Sequence, residues 1–334
     1  MPGPPVVSVV VVPREGFSQA PFCLETLIAT TTEPAWRLVY VDGNAPRSVA
    51  MQLAAKVRAV DGTLIRANRF LRPTSARILG LAEVTTPYVL FLDNDVIVTP
   101  GWLAALLNAA EESRAAYVSP VVCQGNRSPR IVHFGGGANT IAVADDGMRS
   151  LIERYDHGAE PLGAVNLAPG PTAMAEMHCV LVRRSALEAS GGLDERLSTA
   201  FEHNDLCLRL ADHGGGWFEP GATVDNLQDA GARRGDRAYH QLRWSRGWLT
   251  ESRDAFCAKY AIPATDPAIQ RDLRGLHQRR RAPTGRMRRL ARRFGGKFAV
   301  GLHDAALDLY IERVLRPTHE RRPARLTYER PSNH

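Results

Sequence analysis

Residues 88–102 read YVLFLDNDVIVTPGW. Tyr88–Leu92 is an apolar run without alternation, the pattern of a strand covered on both faces. It stops at Asp93-Asn94-Asp95, two carboxylates one residue apart. Pro100 then opens a helical pattern that runs to Glu112. In open α/β sheets, ligands bind beyond the carboxyl ends of the strands. Two carboxylates at such an end offer oxygen ligands to Mg²⁺ or Mn²⁺. A solvated turn has the same composition, so the surrounding pattern has to decide.

Upstream, strand and helix patterns alternate. Val6–Val12 and Trp36–Val41 read as buried strands and Gly62–Arg66 as a short one. Phe22–Thr30, Ser48–Val60 and Ser75–Val84 read as the intervening helices. Tyr117–Val122 continues the series. The expectation is an α/β, Rossmann-like, mostly parallel sheet with helices on both faces. Pro13-Arg14-Glu15 and Asp42-Gly43-Asn44 then join Asp93-Asn94-Asp95 at one crevice. Residues 126–173 are rich in Gly, Pro and Asn and suit short antiparallel strands and loops. Glu176–Val182 reads as a strand, and Ser185–Ser190, Phe201–Asp212 and Tyr239–Tyr260 as helices. The expected organisation is a core over 1–234, split near 125 and 126 into two halves. A basic, partly helical extension follows over 235–334. The strand-bearing core is expected to be complete by about residue 260, so that 271–334 can be removed. No G-x-G-x-x-G follows the first strand, which removes support for dinucleotide binding.

Composition narrows the class. The 334 residues are 44% hydrophobic and 23% charged, enough for a sizeable core without staples. No apolar run approaches the ~18–20 residues of a membrane span, and Met-Pro-Gly-Pro-Pro lacks the basic flank of a signal peptide. Five cysteines, none in a C-x-x-C pair, argue against a disulfide framework and for a reducing, cytoplasmic setting. The net charge of +7 is concentrated: residues 271–297 hold eleven Lys/Arg and one acid, Asp272. Such a segment suits a peripheral seat on anionic lipid at the inner face of a membrane. Only Phe294 interleaves it with an aromatic ring, so nucleic acid is not an expected partner. The tail from Arg271 shows one helical pattern, Val300–Leu315.

A second constellation lies in LVRRSALEASGGLDERLSTAFEHNDLCLRL, residues 181–210. Glu202, His203 and Asp205 lie within four residues, and each can take a proton from a hydroxyl. Thr199-Ala200-Phe201-Glu202 also fits a capping box, and Asp205 with Arg209 an ordinary helix pair. Glu176 and His178 alternate with apolar residues and face the acceptor side or the core. His133 opens a Gly-rich loop. Trp244 and Trp248 are spaced for core packing.

In order and spacing these segments resemble the family 2 glycosyltransferases of the GT-A fold over about residues 6–260. The resemblance implies a metal-dependent, inverting transfer from a nucleotide-sugar donor to an acceptor hydroxyl. It places a divalent cation, Mn²⁺ or Mg²⁺, on Asp93 and Asp95, with Asn226 (after Asp225) where relatives carry a metal-binding His. It places nucleotide-sugar contacts at Pro13, Glu15, Asp42, Arg77, Asp93 and Asn94, with Asp42 toward the base. Glu202-His203-Asn204-Asp205-Leu206 stands for the usual E-D-x-D-L, whose acid activates the acceptor. His203 occupies that acid's place, and neutral histidine is a competent base at pH 7. Glu202 and Asp205 are the alternatives, and Glu176, His178 and Trp244 are the acceptor-side candidates. Pro13-Arg14-Glu15-Gly16-Phe17 departs from the usual Pro-x-Tyr-Asn. Two other functions fit parts of the pattern. One is a phosphohydrolase of the haloacid dehalogenase type, using Asp93 and Asp95. The other is an inactive nucleotide-sugar-binding module.

Overall fold

Six consecutive buried residues, Val7–Val12, form strand β1 at the centre of the sheet. The computed structural model describes residues 4–125, 128–227, 233 and 235–331, other than the side chains of 272 and 277. After β1 come α1 (Ala20–Thr30), β2 (Trp36–Asp42), α2 (Arg47–Arg58), β3 (Thr63–Ala67), α3 (Pro73–Leu81) and β4 (Tyr88–Asp93). Then follow β5 (Val96–Val98), α4 (Trp102–Ser113), β6 (Tyr117–Gln124), β7 (Ile131–Phe134), β8 (Gly137–Val143), β9 (Arg149–Tyr155) and β10 (Gly170–Thr172). The remainder holds β11 (Cys179–Arg183), α5 (Arg184–Ala189), α6 (Glu202–Leu210), β12 (Gly216–Asn226), α7 (Arg237–Arg243), α8 (Arg246–Tyr260), α9 (Pro267–Arg279), α10 (Gly285–Tyr310), α11 (Arg316–Glu320) and β13 (Leu326–Glu329).

The sheet runs β10-β12-β6-β11-β4-β1-β2-β3-β13, with β5 on β12 and β7 on β6. Strands β1 to β4 are mutually parallel, as their unbroken apolar runs require. Strand β11 runs antiparallel between β4 and β6, and β8–β9 form a separate hairpin. Successive side chains of β1 feed opposite faces. Val9 and Val11 pack with Leu24, Leu90 and Trp102, while Val10 and Val12 pack with Val41, Ile65 and Phe91. Helix α3 lies close on the sheet because Gly80 has no side chain: a Cβ there would sit 2.3 Å from a Val10 methyl.

The GT-A arrangement expected from the sequence is present, with four local differences. Tyr239–Tyr260 is two helices, α7 and α8, parted at Ser245, whose side chain accepts from the Trp248 N–H and so starts the second. The capping box does not form. Glu202 is already the first helical residue, and the Thr199 hydroxyl donates to the Arg243 carbonyl instead. Glu176 and His178 precede β11 rather than lying within it.

The fourth difference is the C-terminal third, which is built into the core. Strand β13 pairs along β3, and α9 packs Ile269 and Leu273 against Phe201, Trp244 and Leu249. The expected boundaries at 126 and 234 lie outside the described residues. Helix α10 begins well before the expected Val300 and breaks at Gly296, whose φ is 60°. Arg288 and Asp304 stand 16 residues apart, which a straight helix would separate by about 24 Å. Their side chains meet at 2.9 Å, so the segment folds back on itself as a helical hairpin. Among the described residues no helix is long and apolar enough to cross a membrane.

Candidate active site

The end of β4 delivers Asp93 into a fully buried nest of cations. One carboxylate oxygen accepts from Arg77 Nη2 at 2.7 Å. The other accepts from His178 Nδ1 at 2.9 Å and lies 3.4 Å from Arg14 Nε. Burial pushes the Asp93 pKa up, but Arg77 and Arg14 overcome this and hold it below the usual carboxylate range. Both oxygens of this carboxylate are therefore engaged by neighbouring side chains. Arg77 was expected to touch the nucleotide sugar. It is instead wholly buried and is spent on Asp93 and the Met177 carbonyl, because α3 packs on β1 and β2, and β1 is the neighbour of β4. Asn94 is similarly occupied: it accepts from the Arg14 N–H and donates to the Gly16 carbonyl, stapling the β1 loop to the β4 loop.

Asp95 is different. It is buried, its Oδ1 has no hydrogen-bond partner among the described residues, and desolvation, with Asp93 nearby, pushes its pKa well up. Strand β5 pairs with the end of β12, placing Asn226 opposite Val96, and the Leu227 N–H donates to the Asp95 carbonyl. Asn226 Oδ1 is likewise buried and unpartnered, while its Nδ2 donates to His178 Nε2 at 3.0 Å. Two orphaned hard oxygens, one in the turn before β5 and one at the end of the paired β12, are costly unless something compensates them, and they fit a divalent cation. His133, Glu176 and His178 form a second group of metal-ligating type, with one donor atom each within 4.8 Å of one another.

Beside these residues opens a cavity of about 490 Å³. Its walls come from the β1 loop (Arg14), β7 and β9 (His133, Glu153, Tyr155), the segment before β11 (Glu176, His178), the start of α6 (Glu202, His203) and α9 (Arg271, Leu276, Arg279). Glu202 lies 3.4 Å from Arg14 and 3.8 Å from Arg77, so the two arginines tie it to Asp93. Its Oε2 is unpartnered, and Arg14 and Arg243 hold its pKa down against desolvation. Tyr155 donates to Glu176, whose pKa falls to about 2 because His203 and its neighbours outweigh burial.

His203 does not match the neutral base expected of it. Burial alone would lower its pKa, but Glu176, Glu153 and Glu202 raise it to about 9. At neutral pH it is an imidazolium, with Nε2 donating to Glu153 at 3.2 Å. Asp205, the other alternative, faces away from the cavity. It is absent from the lining of this cavity and is buried against Arg209, Tyr260 and Lys259, which occupy its carboxylate.

The remaining expected contacts are distributed around the β1 and β2 loops. Asp42 is buried outside the lining of this cavity, accepting from the Ala45 N–H at 2.7 Å and paired with Arg66 at 2.9 Å. The Pro13 carbonyl accepts from Tyr239, and Glu15 pairs with Arg279. Trp244 does line the cavity, but guanidiniums of Arg243, Arg279 and Arg14 lie 4.2, 4.9 and 5.8 Å from its ring. It therefore acts as a cation-stacking post, with its ring crowded by charge. Sequence reasoning missed Arg14, Glu153, Tyr155 and Arg279. The only available signal was the placement of Arg14 between two flagged residues.

Comparison with known proteins accords with this geometry. A 33% identity over 153 residues relates the chain to the pre-mycofactocin glycosyltransferase of Mycobacterium tuberculosis, covering 46% of this chain and 29% of that protein. An uncharacterized protein, y4gI, of Sinorhizobium fredii is 25% identical over 276 residues, 80% of this chain and 30% of its own. The chain thus spans less than a third of the length of these curated relatives. Among solved structures, GalNAc-T7 with UDP, GalNAc and Mn²⁺ superposes with a TM-score of 0.51 at 16% identity, over 92% of this chain and 58% of that one. That likeness bears on the fold. The profile of glycosyl transferase family 2 matches residues 8–190, just over half of the sequence, and the chain belongs to that family.

Proposed function

We propose that this protein transfers a sugar from a nucleotide-diphosphate donor to an acceptor hydroxyl with inversion at the anomeric carbon. The observation that carries the proposal is the pair of buried oxygens without partners among the described residues, Asp95 Oδ1 and Asn226 Oδ1, with Asn226 bonded to His178 on the wall of a cavity that Glu202 also lines. Asp95 and Asn226 would hold a divalent cation, which supplies Lewis-acid stabilisation to a departing diphosphate. Arg14, fixed between Asp93 and Glu202, adds a permanent positive charge on the cavity wall. GalNAc-T7, which shares this fold and was solved with UDP, GalNAc and Mn²⁺, supports the donor class.

The acceptor side falls to Glu176, His178 and the β8–β9 hairpin. Glu202 is the proton acceptor in this reading: it is ionised, faces the cavity and keeps one oxygen open. His203 as imidazolium neutralises Glu153 and Glu176, which would otherwise repel a third carboxylate. Asp42 serves the nucleotide indirectly, by setting the β2 turn.

The test is incubation with a panel of nucleotide sugars and Mn²⁺ or Mg²⁺, reading nucleoside diphosphate release with and without chelator. Transfer predicts release from one donor class and its loss with chelator. Orthophosphate release from a phosphomonoester would instead support the phosphohydrolase, and silence in both assays a binding module. NMR of the product's anomeric centre reads inversion or retention.

A further inference from the structure

The hairpin of α10 projects a face that none of the described residues covers. Its tip is the Gly295-Gly296 turn, where Gly296 takes a φ of 60° and a Cβ on Gly295 would sit 2.5 Å from that of Ala299. Phe294 and Phe298 flank this turn and are 78% and 77% exposed, and Leu290 and Leu302, one helical turn further down each arm, are 58% and 57% exposed. Large aromatic side chains left this bare are unusual on a soluble surface, and grouped ones mark an interaction site.

Charge around the tip is of one sign. Arg286, Arg289, Arg292, Arg293 and Lys297 surround it, and from Leu273 to His303 the sequence contains no acid. The first acids, Asp304 and Asp308, sit at the base of the hairpin and are already engaged. Asp304 pairs with Arg288 at 2.9 Å, and Asp308 pairs with Arg280 at 2.7 Å and Arg281 at 3.1 Å. The first rung locks the two arms together, the second ties the returning arm to the end of α9, and both spend the negative charge internally. The outer end is therefore both apolar and cationic. Below it, β13 pins the chain after the hairpin to the sheet, and α9 before it lines the catalytic cavity.

We infer that the hairpin tip docks on an anionic membrane surface, with Leu290, Phe294, Phe298 and Leu302 dipping into the interface and the arginines and Lys297 meeting lipid phosphates. Apolar side chains with basic flanks are what interfacial helices use, and neither arm is long enough to span a bilayer. The basic segment alone suggested electrostatic attraction. The fold adds the apolar tip, so binding has two separable components.

The experiment is co-sedimentation of the full-length protein with vesicles of phosphatidylcholine mixed with phosphatidylglycerol, against vesicles of phosphatidylcholine alone. Binding to the anionic vesicles is expected, weakening as salt rises from about 0.1 M to about 1 M, where the Debye length shrinks from about 10 Å to about 3 Å. The pair Phe294→Ser and Phe298→Ser should lower vesicle affinity at least tenfold with an unchanged melting temperature, since both rings are exposed. The pair Arg289→Gln and Arg293→Gln should lose the preference for anionic lipid while keeping the fold. Wild-type protein left in the supernatant overturns the proposal, as does a Phe pair that binds like wild type. So does a wild-type dimer that the Phe pair disperses, because the face would then cover a second copy. No sugar or metal enters this assay, so its failure and the failure of the transfer reading are separate results.

Discussion

Glu15 and Arg279 are joined by a 3.0 Å ion pair across 264 residues of sequence. The contact ties the loop after the central strand to the last turn of α9. His240 approaches the same carboxylate at 3.7 Å, and the Glu15 pKa stays below its ordinary value although burial pushes it up. The wall of the candidate site is thus completed by the part of the chain that looks, in sequence, like a detachable tail.

Removal of residues 271–334 should therefore destabilise the core. It deletes the buried side chains of Leu273 and Ile311, exposes the edge of β3 and strips one wall from the cavity. Two such side chains contribute roughly 1.5–3 kcal/mol each, and each kcal/mol moves Tm by about 2–4 °C in a domain of this size. A fall of roughly 10 °C or more is expected in a thermal melt. A truncated protein that melts with the full chain would show that α9 and β13 are passengers.

Asp95→Ala should abolish cation binding, because it removes one of the two open oxygens. Titration with Mn²⁺, followed by the electron paramagnetic resonance of the free ion, reads this directly and needs no sugar. Asn226→Asp should bind the ion more tightly, since a second charge replaces a neutral oxygen at the same place. Unchanged affinity in both variants would move the ion to the group of His133, Glu176 and His178.

The sheet was legible because β1, β2 and β4 are unbroken apolar runs ending in polar clusters, a signal carried by neighbouring residues alone. Asp93 and Asp95 were legible for the same reason, but not their inequality. That comes from Arg77 below and Arg14 beside Asp93, neither of which is adjacent in sequence. The charge of His203 was equally hidden, since Glu153 reaches it from a hairpin 50 residues away. Gly295-Gly296 is a visible breaker, yet the reversal it produces depends on Arg288, Arg280 and Arg281 finding Asp304 and Asp308. Long-range ion pairs leave no periodicity behind.

His203 and His133, both on the cavity wall, should titrate on opposite sides of the ordinary value. His203 has a folded pKa of about 9, above the ordinary ~6.5. Its pairing stabilises the fold fully below about pH 6.5 and is lost as pH rises through 9. Burial lowers His133 to about 4, so it stays neutral at pH 7 and weakens the fold only as pH falls from about 6.5 toward 4. Proton NMR of the imidazole C–H resonances should find two midpoints on either side of the ordinary value. The melting temperature of His203→Gln should differ from wild type at pH 6 and converge with it above pH 9. A His203 midpoint near 6.5 would restore it as a neutral base.

Glu202 is the last and sharpest case. Its carboxylate is fixed from one side by Arg14 and Arg77, while Oε2 has no hydrogen-bond partner among the described residues and the side chain lines the cavity. A group held in this way needs no rotamer search to meet an acceptor hydroxyl, which is the geometric requirement for a general base. Its lowered pKa keeps it ionised throughout the physiological range. Glu202→Gln retains the shape and an oxygen for the arginines but cannot take a proton. Transfer should fall by about 10²–10⁴, the usual range for losing a general base. Donor affinity, read by thermal shift with the nucleotide, should change little, because the proton comes from the acceptor. Glu202→Ala should lower activity and stability together, since it leaves Arg14 and Arg77 buried with one carboxylate fewer. If Glu202→Gln keeps most of its activity while Glu176→Gln loses it at equal melting temperature, the proton goes to Glu176, and Glu202 is a positioning residue for Arg14.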